Sequence, residues 1–275
     1  MKDIYTRTLT GIVFLITVIG SILLDPLAFF IVFSLFSFVG LKEFYRLANL
    51  SFSGTDSRAT PEYYIFGLLI YAVIGLVGLG FIDIRYSSII FIIFFLQIAI
   101  ELFRKKDPQW RNITIILTGY IYISLPMGLM NSLFYFGAVD KPRLGILIGM
   151  FVLVWTSDIF AYLTGSMFGK HKLMEQISPK KTWEGSVGGL LSAFIAAYIM
   201  SIFVNQLNIV EWMILALLIV IGGTLGDLSE SLLKRNAGVK DSGTLFPGHG
   251  GVLDRFDAVI FATPIVFIYI NMVNL

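Results

Sequence analysis

Nine apolar stretches of about the length needed to cross a bilayer divide this chain, at residues 8–24, 26–41, 63–81, 87–103, 113–136, 144–167, 186–204, 210–233 and 258–273. Hydrocarbon offers backbone N–H and C=O groups no water, so a spanning segment of about 20 residues must satisfy them within itself, as a helix. Composition agrees: 57% of the residues are hydrophobic and 14% charged, with a mean hydropathy of +0.85. The fold class this predicts is all-α, a polytopic membrane helix bundle of about nine transmembrane helices. The first stretch follows Lys2 and Arg7 as a secretory signal would, but Asp25 and Pro26 stand where a small-x-small cleavage site is needed, so it is expected to be retained.

Basic residues set the orientation. All of the 20 Lys and Arg except Arg85, Lys141 and Arg143 fall near the N-terminus or after the second, fourth, sixth and eighth stretches. Basic loops are retained in the cytoplasm. The N-terminus and these loops are therefore expected to face it, with the chain in the cell (inner) membrane and the C-terminus outside. Cysteine is absent, which excludes disulfides and thiolate metal sites. Two histidines, His171 and His249, are too few for a histidine-rich cage.

Residues 1–140 read as structural, lipid-facing helices. Lys42, Glu43 and Arg46 are expected to pair with one another there, and Arg104, Lys105, Lys106 and Arg111 to form a basic cluster against inner-leaflet headgroups. Pro126 and Pro264 are expected to kink their helices.

Residues 141–275 read as the helices that carry a cytoplasm-facing site. Asp158 lies nine residues before the end of its stretch, about 14 Å deep at roughly 1.5 Å per residue. A carboxylate at that depth costs at least ~2.5 kcal/mol, so a wet cavity, an ion or a partner must compensate. Lys170, Lys172, Lys180 and Lys181 crowd the joint that follows, whose G-x-x-x-G-K-H run lacks the spacing of a phosphate loop. Lys170 and Lys172 read as topological charge. Lys180, Lys181 and Thr182 are placed at the start of the next helix, opened by Ser178 and Pro179 with Glu184 in its first turn. A helix N-terminus beside amines attracts phosphate. The pairs Gly185/Gly189 and Gly222/Gly226 have the spacing that lets helices approach closely.

The densest polar stretch runs from Asp227 to Asp257. On a helix Asp227, Glu230, Ser231 and Lys234 share one face, and Asp254 and Asp257 repeat an offset of three. Between them the run Pro247-Gly248-His249-Gly250-Gly251 is too rich in glycine to be helical. Oxygen-only ligation by Asp158, Asp227, Asp254 and Asp257 suits Mg²⁺, typically held by one or two carboxylates plus substrate phosphates. Lys234, Arg235, Lys240 and Arg255 stand beside them, and Gly250 and Gly251 are able to turn backbone N–H groups toward an anion. Acids for a metal together with bases for phosphate are the equipment of phosphoryl or nucleotidyl transfer.

The run Ser231-x-x-Lys234-Arg235-x4-Lys240-Asp241-x-Gly243-x-x-Phe246-Pro247-x-His249-Gly250-Gly251-x-x-Asp254-Arg255-x-Asp257 resembles the signature of the CDP-diacylglycerol synthase, or phosphatidate cytidylyltransferase, family. Asp158-x-x-Ala161-Tyr162-x-x-Gly165 and Ser178-Pro179-Lys180-Lys181-Thr182-x-Glu184-Gly185 are similar to that family too, whereas residues 1–140 match it in hydropathy alone. The resemblance implies that CTP and phosphatidate give CDP-diacylglycerol and pyrophosphate with Mg²⁺. In a two-cation site, Asp227 and Asp254 would hold the ions with help from Asp158 and Asp257. Asp227, Asp254, Lys234 and Arg255 are then the expected catalytic residues. Lys180, Lys181, Thr182, Ser231, Arg235, Lys240, Asp241, His249, Gly250 and Gly251 are the expected substrate contacts, with His249 either bonding a phosphate or bracing its turn. The expected partners are CTP, phosphatidate and membrane lipid, with no nucleic acid, and close-packing glycines permit a homodimer. Two alternatives remain open at this point: another CTP-dependent lipid kinase or nucleotidyltransferase, and a cation transporter using Asp158 and Asp227 as coupling sites.

Overall fold

The computed structural model describes residues 2–51, 59–104, 109–135 and 144–273, with side chains from Tyr5 onward and excepting that of Gln109. Lys105, Lys106, Lys141 and Arg143 lie outside the described residues, as does the side chain of Lys2. Among the described residues nine helical segments are long and apolar enough to cross a membrane, and they fall on the nine apolar stretches. The chain is a multi-pass membrane protein with an all-α bundle and one small two-stranded hairpin.

Local chemistry sets the helix ends. Helix α1 (Lys2–Leu24) stops before Asp25, whose carboxylate accepts the Leu27 N–H at 2.7 Å, and Pro26 opens α2 (Pro26–Ser51). A side-chain acceptor followed by proline at the first position is a favoured helix start. Helix α2 continues ten residues beyond its apolar run, carrying Glu43 and Arg46 out on its last turns. Helices α3 (Pro61–Gly78) and α4 (Ile89–Phe103) follow, the latter led by a 3₁₀ turn at Ile84–Ser88. The fifth span is made of α5 (Gln109–Gly119), a π-helical turn (Tyr120–Ser124) and α6 (Leu125–Ser132). Leu125 alone separates Pro126 from that turn, and a proline without an N–H forces the ladder to adjust just before it.

Helix α7 (Gly145–Phe168) leads into the antiparallel strands β1 (Lys172–Met174) and β2 (Ser178–Thr182), with Lys172 opposite Thr182 and Met174 opposite Ser178. Lys180 and Lys181 are therefore strand residues, and the expectation that Ser178 and Pro179 open a helix is corrected. Proline disfavours the helical region for the residue before it, so Ser178 is driven extended. Helix α8 (Trp183–Phe203) starts instead after Thr182, whose hydroxyl accepts the Gly185 N–H at 3.2 Å. Glu184 does sit in the first turn.

Helix α9 (Ile209–Asn236) opens on a reciprocal cap between Asn208 and Glu211. It closes with Gly238 at φ +68°, where Gly238 N–H reaches Arg235 C=O and Val239 N–H reaches Lys234 C=O. That left-handed position suits glycine, and it turns the chain toward α10 (Leu253–Val273). Small residues let α7 and α8, and α9 and α10, run in close contact. A Cβ on Gly185 would stand 2.7 Å from Ala161 C=O, one on Gly189 2.8 Å from Ser157 C=O, and one on Gly222 3.2 Å from Ala262 Cα. Phe14 of α1 and Phe33 of α2 meet Phe256 of α10 edge-on at 5.4 and 5.5 Å, fastening the first helices to the last. Ile16, Phe95, Ile195 and Ile202 point outward, as a lipid-facing surface requires.

Replacing Gly222 with valine should force α9 off α10 and lower stability by about 1–3 kcal/mol, the usual cost of overpacking. A thermal unfolding midpoint equal to that of the parent protein in detergent would show that the two helices do not depend on this contact.

Candidate active site

A cavity of about 660 Å³ opens between α7, α8, α9, the start of α10 and the hairpin. Asp158 comes from α7, Asp227 from α9, and Asp254 and Asp257 from the first turns of α10, so all four nominated aspartates line one space. Lys180, Lys181 and Thr182 of β2 line it as well, with Lys172 beside them from β1. Its deep end is apolar, walled by Val154, Ile219 and Val220.

Each carboxylate is held differently. Asp227 Oδ2 lies 2.7 Å from Lys181 Nζ, and its Oδ1 accepts the Ser231 hydroxyl at 3.3 Å. Asp254 Oδ1 lies 2.7 Å from Lys234 Nζ. Its Oδ2 accepts the Ser242 N–H, the Ser242 hydroxyl and the Gly251 N–H, each at 2.8 Å. Lys234 also lies 2.5 Å from Glu230 Oε2, and Glu230 is 1% exposed, so one amine answers two carboxylates. Asp257 Oδ1 accepts the Ala258 N–H at 2.8 Å. Asp158 has no hydrogen-bond or ion-pair partner among the described residues.

The donor set fits a hard cation. Only oxygen ligands face the cavity from Asp158, Asp227 and Asp257, and the two histidines stand elsewhere. The described residues form no ready-made cage of three acidic or histidine side chains. Mg²⁺ does not need one, because substrate phosphates and water complete its coordination. Asp254 is the least free of the four, since Oδ2 already receives three donors and Oδ1 an ammonium.

Several nominated residues do not line this cavity. Arg235 Nε donates to Ile177 C=O at 3.4 Å, tying the end of α9 to the hairpin. Lys240 and Asp241 are exposed on the loop after α9. Arg255 and Lys234 stand behind the lining residues. The Gly251 N–H points to Asp254 rather than into open space. Gly250, at φ +86°, adopts the backbone conformation that lets Phe246 N–H reach its carbonyl at 2.9 Å. His249 Nδ1 lies 2.8 Å from the Thr10 hydroxyl, bracing the loop against α1.

Two contributions escaped the sequence. Lys172 enters the lining because hairpin pairing sets it across from Thr182, and the lysine–proline spacing of 172–182 was the available signal. Glu184 fixes that hairpin by accepting the Lys170 and His171 N–H groups at 3.1 and 3.2 Å and the His171 ring nitrogen at 2.6 Å. Glu43 is the second. Rather than pairing with Arg46, it accepts Val252 N–H on Oε1 at 3.0 Å, and Leu253 N–H and the Ser242 hydroxyl on Oε2, both at 2.9 Å. Arg46 donates to Ser242 C=O at 2.5 Å. A glycine-rich turn leading straight into a helix leaves first-turn N–H groups without acceptors, and that was the clue that a distant carboxylate was needed.

The contacts Thr10 to His249, Glu43 to Ser242 and Lys181 to Asp227 gather the start of α1 and the joints after the second, sixth and eighth spans at one end of the bundle. That shared end is what spans alternating in direction and the basic-residue pattern require.

Among the described residues nine membrane-spanning helices, the last four of them around a cavity of acids and amines, define a multi-pass membrane protein with a polar site sunk into the bundle. Residues 5–273 match the cytidylyltransferase family, and the chain belongs to that family, a group of nucleotidyltransferase enzymes. It is similar to the phosphatidate cytidylyltransferases of Staphylococcus saprophyticus, 35% identical over 262 residues, and of Staphylococcus aureus, 33% identical over 262 residues; each alignment covers 94% of this chain and 96% of the relative. The similarity thus includes the first 140 residues, where only hydropathy had matched.

His249 lies outside the spans and carries a testable consequence. Burial first, then the positive charges of Arg255 and Arg7, hold its pKa below 6.5. The folded protein favours the neutral ring, so on acidification the unfolded chain takes up the proton first. Stability present above about pH 6.5 should be lost as pH falls through the lower folded-state pKa. Unfolding midpoints measured from pH 7.5 to 5 should therefore drop more steeply for the parent protein than for a His249→Gln variant, and equal slopes would remove the assignment.

Proposed function

We propose that the chain transfers the cytidylyl group of CTP to phosphatidate, giving CDP-diacylglycerol and pyrophosphate with Mg²⁺, at a site that faces the cytoplasm from the cell (inner) membrane. Its membership of the cytidylyltransferase family and the printed function of its relatives support this reading. The observation that carries it is that Asp158, Asp227 and Asp257 share one cavity with Lys172, Lys180 and Lys181. Acids alone would suit a cation, and amines alone an anion. Their combination suits a metal–nucleotide complex.

In this reaction a phosphate oxygen of phosphatidate bonds to the α-phosphorus of CTP while the bond to the bridging α–β oxygen breaks. Pyrophosphate leaves with that electron pair. The attacking oxygen is already anionic near neutral pH, so no general base is demanded, and the barrier lies in bringing two polyanions together. Mg²⁺ would be held by Asp227 with Asp158 and Asp257, and would supply charge neutralisation across the phosphates. Asp254 would join a second ion only by releasing Lys234 from Oδ1. Lys181 and Lys234 now neutralise Asp227 and Asp254. Were Mg²⁺ held at Asp227, Lys181 would be available to the triphosphate and the leaving pyrophosphate alongside Lys172 and Lys180, which line the cavity with it. Thr182 positions the lysine strand by capping α8. The apolar deep wall at Val154, Ile219 and Val220 suits the glycerol end of a lipid arriving from the inner leaflet.

Purified protein given Mg²⁺, CTP and phosphatidate should release pyrophosphate and form CDP-diacylglycerol. Release of CDP instead would identify a lipid kinase, and cation flux in liposomes without nucleotide a transporter. Asp227→Asn and Asp257→Asn should each lower kcat by at least about a hundredfold, in line with loss of a charge-stabilising group, while leaving the unfolding midpoint within a few degrees. Turnover that survives both substitutions would remove the metal assignment.

A further inference from the structure

We infer that Glu43 is a positioning residue for the reaction, holding the turn before α10 so that Asp254 and Asp257 face the cavity. It stands on α2, in the half of the chain that lines no part of that cavity, and is only 6% exposed. Its two carboxylate oxygens take the N–H groups of Val252 and Leu253, and share with Asp254 Oδ2 the single hydroxyl proton of Ser242. Val252 and Leu253 are themselves buried, and the first N–H groups of a helix have no acceptor within its own ladder; Asp254 of α10 takes the Gly251 N–H instead. Glu43 thus supplies the acceptors that these amides lack. An anion against the positive end of a helix is also electrostatically favoured there.

The contact extends to the reacting groups in one further step. The Ser242 hydroxyl lies 2.9 Å from Glu43 Oε2 and 2.8 Å from Asp254 Oδ2, and Asp254 in turn holds Lys234. Arg46, one turn along α2, fixes the Ser242 carbonyl from the other side. The turn is shaped to the carboxylate: a Cβ on Gly243 or on Gly251 would collide with the Glu43 side chain. A shift of Glu43 therefore moves Ser242, Gly251 and the first turn of α10 together, and with them two of the four cavity aspartates. Misplacement by about 1 Å away from the chemistry is enough to cost on the order of a hundredfold in rate.

The test uses full-length protein in detergent and reads two independent quantities for Glu43→Gln, which keeps the shape but loses the charge and one acceptor. The first is hydrogen exchange in peptides covering 250–256, which should quicken by about tenfold or more at the α10 start while the rest of α9 and α10 exchanges as before. The second, which alone rests on the proposed function, is turnover per folded molecule. There kcat should fall by about ten- to a hundredfold with KM for CTP changed by less than about threefold. Should Glu43→Gln fail to fold, Ser242→Ala breaks the same bridge and should show the same kcat loss, with α10 exchange altered less. Unchanged exchange at 250–256 overturns the inference. So does a normal kcat per folded molecule with only a lowered unfolding midpoint, the result expected of a purely structural carboxylate. If the parent protein itself turns over neither CTP nor phosphatidate, the proposed function fails while the exchange measurement still decides the role of Glu43.

Discussion

Carboxylates among apolar helices are tolerable only when positive charge or hydrogen-bond donors answer them, and that requirement governs how this bundle is put together. Asp254 is met by an ammonium and three donors, Asp227 by Lys181, and Glu230 shares Lys234 with Asp254. Glu43 is met by two backbone amides and a hydroxyl. Each solution draws on a different part of the chain. The amine for Asp227 comes from the hairpin, and the donors for Glu43 come from the loop after α9. The acids are therefore the points at which separate helices are fastened to one another, and Asp227 and Asp254 line the cavity as well. Asp158 differs in having no hydrogen-bond or ion-pair partner among the described residues.

Helix packing serves the same end. Gly185 and Gly189 bring α8 against α7 at backbone distance, and Gly222 brings α9 against α10. Close approach keeps Asp158, Asp227 and Asp257 on three helices around one cavity. The hairpin closes the remaining side, and its lysines are aimed by two devices that cost little sequence, the cap at Thr182 and the Glu184 carboxylate.

Much of this was legible in the sequence, for identifiable reasons. Hydropathy finds depth in a membrane, so all nine spans were found, yet it does not find where a helix ends. Helix α2 runs on to Ser51 through polar residues, and α10 starts at Leu253, five residues before its apolar run. The offsets in Asp227-Glu230-Ser231-Lys234 predicted a shared helical face, and the bonds from Ser231 to Asp227 and from Lys234 to Glu230 lie along it. Strand β2 was misread as helix because lysines before a span look like a helix start unless Pro179 is given its full weight against the helical region. Glu43 escaped for a deeper reason. Its partners stand about two hundred positions away, and no local pattern in α2 distinguishes a residue that reaches them from one that pairs with Arg46.

That long reach bears on biosynthesis. Thr10 and His249 are 239 positions apart, and Glu43 and Leu253 are 210 apart. During translation α1 and α2 enter the bilayer first and must wait for nearly the whole chain before their polar partners emerge. Until then Glu43 lacks the Val252 and Leu253 amides that it accepts in the folded chain. Closing so wide a loop is slow. The site is therefore completed late in synthesis, when the ninth helix joins the bundle and its first turn reaches the contacts waiting on α1 and α2.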